Sequence, residues 1–129
     1  MTQLLAHLIG DYCLQSHVMA TRKTSSWTWA FIHAAFYGLP FLFLLAWSRP
    51  TVALLQLAII VGTHAVIDRL AIARRWCQLY GVGFSGLWVR GQMARAAFQG
   101  PPPFLGVWLV IIVDNTFHLC INFATLSVQ

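Results

Sequence analysis

The 129 residues suffice for one domain, and only 9% of them are charged against 59% hydrophobic. A soluble domain carries about 25% charged residues, so this inventory cannot cover a water-facing surface. The net charge of +5 sets eight Lys and Arg against three acids, Asp11, Asp68 and Asp114, with no Glu. These figures predict an all-α polytopic membrane protein, a four-transmembrane-helix bundle forming one domain over residues 1–129.

The first predicted span covers about 2–20 and is the most polar, interrupted by His7, Asp11, Gln15 and His17. His7, Asp11 and Gln15 fall at i, i+4 and i+8, one stripe of a helix. Gly10 beside them allows a neighbouring helix to approach closely. The segment lacks the positively charged start of a signal peptide and reads as retained. A short basic loop with Arg22 and Lys23 follows. The second span, about 27–47, has Trp27, Trp29 and Trp47 near its ends, where interfacial aromatics collect, and carries His33. Pro40 inside it is tolerable in a membrane helix.

The third span, about 51–73, contains GTHAVIDR, with His64 and Asp68 four residues apart. Arg69, Arg74 and Arg75 close it. The long connection 74–103 has Arg90, Arg95, several glycines and a Pro101–Pro103 stop, and its Ser85–Gln99 stretch reads as a short interfacial helix. The fourth span, about 104–126, carries Asp114, His118 and Asn122, again at i, i+4 and i+8. The basic residues flank the 1–2 and 3–4 connections, so the positive-inside rule puts those loops in the cytoplasm and both termini outside. Cys13, Cys77 and Cys120 form no CxxC and are odd in number, against a disulfide framework.

Every acid is thus half of a His/Asp pair at helical spacing, inside an apolar segment where ionisable groups are costly and functional by default. Counted at 1.5 Å per residue from the cytoplasmic ends, His7, Asp11, His33, His64, Asp68, Asp114 and His118 lie roughly 8–21 Å deep. Imidazole and carboxylate together are ligands for Zn²⁺, Mn²⁺ or Fe²⁺. Seven such groups suit two metal ions, or one ion whose ligands are held by the remainder. Divalent metal can polarise a phosphoryl group and activate water, with Asp68 or Asp114 doubling as general base. The competing accounts are interhelix hydrogen bonding that holds the bundle together, and a proton or metal-ion path. The basic Trp-containing loop points to lipid headgroups rather than nucleic acid.

The stretch HLIGDYCLQSHVMA, the lone His of the second span, THAVIDR and DNTFHLCIN together resemble a small membrane family, the domain of unknown function numbered 3307. The start, H-x2-G-D-x3-Q, is the most specific part, and the long 3–4 loop is not matched to the pattern. The polar positions of that pattern fall on His7, Asp11, Gln15, His33, His64, Asp68, Asp114 and His118. The resemblance brings no activity with it. It implies a bacterial inner-membrane or phage-encoded protein, and more loosely the chain resembles small membrane proteins suspected of metal-dependent hydrolysis.

Three functions follow as expectations. The first is a metal-dependent hydrolase of a lipid or lipid-linked phosphate. The second is a non-enzymatic protein that binds or blocks a host membrane protein, its His/Asp centre being structural. The third is a proton or metal transporter, which with four spans would need to form a homo-oligomer.

Overall fold

The computed structural model describes residues 1–80 and 103–128, and among them every regular element is helical. The expected interfacial helix at Ser85–Gln99 lies outside the described residues. The elements are α1 (Thr2–Leu8), a π-helical turn (Ile9–Cys13), α2 (His17–Arg22), α3 (Trp27–Leu45), α4 (Pro50–Leu70), α5 (Ile72–Tyr80) and α6 (Pro103–Leu126). The chain divides into two compact units, Met1–Leu70 with His118–Gln129, and Ala71–Phe117.

Three helices are long and apolar enough to cross a membrane: Trp27–Leu45, Pro50–Leu70 and Gly106–Leu126. The expected first span differs. It is three pieces, not one helix, and the longest has 7 residues. The α-helical ladder first widens, with the Leu14 N–H donating to the Ile9 carbonyl five residues back at 3.0 Å. It then stops, and Ser16 in an extended conformation caps α2, its Oγ accepting from the Met19 N–H at 3.3 Å. Gln15 therefore lies outside any helix, and the predicted stripe ends at Asp11. A fourth continuous span is not among the described helices.

Within the first unit, α3 buries Ala30, His33, Ala34, Tyr37, Gly38, Phe41 and Leu45, and α4 buries Gln56, Ile60, His64 and Asp68 at four-residue intervals. Both sets are single helical faces. Close approach is built in: a Cβ on Gly38 would lie 2.6 Å from Val61 Cγ2, and one on Gly10 would lie 2.7 Å from the Tyr37 carbonyl oxygen. Ala6, Tyr37, Phe41 and Ile60 form the apolar core, with Leu44, Leu57 and Leu126 packed around it. At its edge the Gln56 amide donates to the carbonyls of Thr125 (3.0 Å) and Val128 (2.8 Å), satisfying acceptors at the end of α6 that the helix leaves open.

Polarity is inverted relative to a soluble protein. Leu5, Phe31, Phe43, Leu54 and Leu55 are exposed, while His7, Asp11, His33, His64, Asp68, His118 and Asn122 are buried. That distribution fits a hydrocarbon surround.

In the second unit, Ala71 takes a left-handed conformation (φ 48°), which ends α4 three residues before the expected 73 and starts α5. The 72–80 stretch, of which 74–80 read from sequence as part of the long connection, is an amphipathic helix that buries Ala73 and Cys77 and exposes Arg74 and Arg75. Burial pushes the Cys77 thiol above its ordinary pKa. Trp76 packs on Tyr80 at 4.5 Å between ring centroids and meets the edge of Phe117 at 5.6 Å.

Candidate metal centre

Antiparallel neighbours set the register of the site. Along the first segment and α3, His7 faces Tyr37 and Asp11 faces His33, one turn apart on each element. The π turn carries Asp11 at this level, and such widened turns recur at functional sites. Across α3 and α4, His33 meets both His64 and Asp68.

Asp11, His33, His64 and Asp68 consequently turn one atom each toward a common point, all within 4.8 Å of one another. Five of the six separations are closer still. His33 Nε2 is 3.0 Å from His64 Nε2, 3.1 Å from Asp11 Oδ1 and 3.2 Å from Asp68 Oδ2. His64 Nε2 is 3.2 Å from Asp68 Oδ2 and 3.8 Å from Asp11 Oδ1. The four residues are only 0–4% exposed. A tetrahedral ion about 2.0–2.2 Å from each ligand requires ligand–ligand distances of about 3.3–3.6 Å, and the observed spread brackets that value.

Hydrogen bonding satisfies only part of this convergence. An imidazole nitrogen holds one proton or one lone pair, so it makes a single in-plane bond. His33 Nε2 has Asp11, Asp68 and His64 atoms within 3.2 Å, and Lys23 Nζ at 3.2 Å besides. Asp68 Oδ2 is buried without a hydrogen bond of proper geometry among the described residues, its ion pair with Lys23 apart. One cation at the centre would satisfy all four atoms together. His33, His64, Asp11 and Asp68 are therefore a set that could hold a metal ion.

Stacking, more than hydrogen bonding, orients the imidazoles. His64 lies against Tyr37 at 3.6 Å between centroids and 13° between planes, with His118 at 4.1 Å. The Nδ1 atoms of His33 and His64 are buried without a hydrogen-bond partner among the described residues. Tyr37 also ties in the neighbouring polar groups: Asn122 Nδ2 donates to its hydroxyl at 2.7 Å, and that hydroxyl lies 2.9 Å from His7 Nδ1, to which it can donate.

A family model described as "Protein of unknown function (DUF3307)" matches residues 1–90. The chain belongs to this family. The matched stretch holds all four converging groups, His7, Lys23 and Tyr37, whereas Asp114, His118 and Asn122 lie beyond it. No curated protein and no solved structure matches the chain.

Of the seven residues predicted as ligands in this DUF3307 protein, Asp11, His33, His64 and Asp68 converge within the first unit. His7 is completely buried but lies with Tyr37 rather than in the four-atom set. His118 Nε2 is 3.7 Å from Asp68 Oδ1, whereas His33 and His64 approach Oδ2. Asp114 belongs to the second unit and is half-buried.

Two contributors were not singled out from sequence. Lys23 read as a charge that fixes topology, yet its ammonium lies 3.0 Å from Asp68 Oδ2 and 3.6 Å from Asp11 Oδ1. Tyr37 carried a usable signal, because it follows His33 by the same four residues that separate the other pairs. Arg69, which closes the third predicted span, donates from Nη1 to the Thr24 carbonyl at 2.8 Å and lies over the Trp27 ring.

Proposed function

We propose that this protein is a metal-dependent hydrolase of the membrane, acting on a lipid or lipid-linked phosphate through the centre formed by Asp11, His33, His64 and Asp68. The observation that carries the reading is the convergence of two imidazole nitrogens and two carboxylate oxygens at 3.0–3.8 Å in a buried position. Bound there, Zn²⁺, Mn²⁺ or Fe²⁺ would polarise a phosphoryl oxygen and lower the pKa of a water. Asp68 has a second carboxylate oxygen, on its His118 side, available to accept a proton. Exposed Leu, Ile and Phe side chains on α3 and α4 favour a substrate that arrives through the bilayer.

The same elements support a bacterial cytoplasmic membrane orientation with the basic ends inside. Lys23 and Arg69 lie at one end of the α3–α4 pair, and Arg49 lies at the other.

The test is elemental analysis of the purified chain, followed by phosphate release from short-chain phosphatidic acid with added Mn²⁺ or Zn²⁺. Stoichiometric metal and metal-dependent release are expected. A chain whose stability and composition ignore both ions would overturn the reading.

A second reading has one observation in its favour. Lys23 forms ion pairs with both Asp11 and Asp68, which offsets part of their charge without metal. In that case the centre is structural and the protein acts by binding another membrane protein. Asp68→Asn that loses metal but keeps the biological effect would favour it.

A further inference from the structure

We propose that Lys23 is the anion-binding residue of the centre: metal entry displaces its ammonium from Asp11 and Asp68, and the freed ammonium then holds a phosphate-type oxyanion beside the ion. This rests on the metal reading above and adds the chemistry of the ligand.

The position of the ammonium is the starting point. Lys23 Nζ touches three of the four converging atoms: Asp68 Oδ2 at 3.0 Å, His33 Nε2 at 3.2 Å and Asp11 Oδ1 at 3.6 Å. It thus covers one face of the ligand set. An ion about 2 Å from those same atoms would lie about 3 Å from the ammonium. Two cations do not share that space while both carboxylates are drawn to the metal. The ammonium must move outward.

The backbone limits how far it can go. Lys23 caps α2, its N–H donating to the Met19 carbonyl at 2.9 Å. The Arg22 carbonyl accepts from the Ser25 and Ser26 N–H groups at 3.0 Å and from Ser25 Oγ at 3.1 Å. The turn is therefore pinned while the four-carbon stem can swing. Its side chain is 15% exposed, against 0–6% for those of Asp11, His33, His64 and Asp68, so Lys23 occupies the accessible side of the centre.

Charge then selects the ligand. Two carboxylates and one ammonium sum to −1 with neutral imidazoles; adding a divalent ion brings the group to +1. A positive centre of metal and ammonium, deep in apolar surroundings, calls for an anion with several oxygens, one for the metal and one for Lys23. A phosphate group meets that requirement, whether it is free or the headgroup of a lipid.

The test is calorimetric titration of the purified full chain in neutral detergent. Zn²⁺ is titrated first, and then inorganic phosphate or short-chain phosphatidic acid into the Zn²⁺-loaded protein. Wild type is expected to bind phosphate only after Zn²⁺. Lys23→Met is expected to bind Zn²⁺ at least tenfold more tightly and phosphate at least tenfold more weakly, with Lys23→Arg recovering most of the phosphate affinity. Phosphatidic acid binding at least tenfold more tightly than inorganic phosphate would identify the lipid headgroup as the source, and equal affinities the free ion. Either pattern supports the anion role.

Equal phosphate binding with and without Zn²⁺ in wild type overturns the proposal and needs no variant to fold. Unchanged Zn²⁺ or phosphate affinity in Lys23→Met overturns it as well. Failure of wild type and Lys23→Met alike to bind Zn²⁺ is a distinct result, which strikes the metal reading itself.

Discussion

Tyr37 lies flat on His64, ring centroids 3.6 Å apart and planes 13° from parallel, while its hydroxyl bridges Asn122 and His7. One side chain of α3 thus fixes an imidazole of the candidate centre with its face and joins the first segment to α6 with its oxygen. A metal-ligating histidine commonly has its second nitrogen held by a hydrogen bond. Here the ring face carries that restraint, because His64 Nδ1 has no hydrogen-bond partner among the described residues.

The two roles of Tyr37 separate by substitution. Tyr37→Phe keeps the stack and removes the hydroxyl, so stability should fall by about 1–3 kcal/mol as buried groups lose a partner. Zn²⁺ affinity should stay within about threefold, since the Nε2 atoms keep their places. Tyr37→Leu also removes the stack and should weaken Zn²⁺ binding by about 10-fold or more, the size of effect seen when ligand-orienting groups are lost. Thermal unfolding in detergent and calorimetry read the two quantities independently.

Asp11→Asn and Asp68→Asn are near-isosteric and keep an oxygen at each position while removing the charge. Each should lower Zn²⁺ or Mn²⁺ affinity by at least about 100-fold, above the range for orienting groups because a ligand itself is lost. Circular dichroism should show the helices intact. Equal metal content in wild type and both variants would exclude these carboxylates as ligands.

How much of this was readable beforehand depended on what each residue answers to. The apolar helices and the buried pairs His7/Asp11 and His64/Asp68 follow from composition and a four-residue period, and both emerged from sequence. His33 and Asp68 could be placed because α3 and α4 are regular. Asp11 was harder: a π turn and the Ser16 cap alter the direction of the first segment, and neither breaks the hydrophobic pattern. Ala71 likewise adopts a left-handed conformation that its residue type does not announce. Lys23 escaped because its side chain folds back from a loop to the centre, a tertiary fact that local spacing does not encode.

Metal affinity should depend on pH with a defined sign. Both histidines must be neutral to ligate, so protons compete with the ion. Affinity should therefore fall as the pH is lowered and protons occupy the ring nitrogens. The slope should approach two protons per ion only at a pH low enough for both His33 and His64 to be protonated in the metal-free protein. Calorimetry in buffers of different ionisation enthalpy counts those protons where affinity falls, and an affinity that does not change with pH while the protein stays folded would argue against both imidazoles as ligands.

Gly10 tests whether the geometry of the first segment matters to the centre. A Cβ there would meet the Tyr37 carbonyl oxygen at 2.7 Å and Tyr37 Cδ2 at 2.9 Å, and backbone cannot yield as a flexible side-chain tip can. Gly10→Ala must therefore push the π turn, with Asp11 one residue on, away from α3. Stability should fall by about 1–3 kcal/mol, the range for overpacking a well-packed contact. Zn²⁺ affinity should fall with it, because Asp11 Oδ1 would no longer sit 3.1 Å from His33 Nε2. Gly62→Ala is the control. It sits in α4 with nothing within 4 Å of the new methyl, so it should be neutral or stabilise by up to about 1 kcal/mol and leave Zn²⁺ binding unchanged. Parallel effects of the two substitutions would show that helix propensity, and not the approach of the first segment to Tyr37, governs the site.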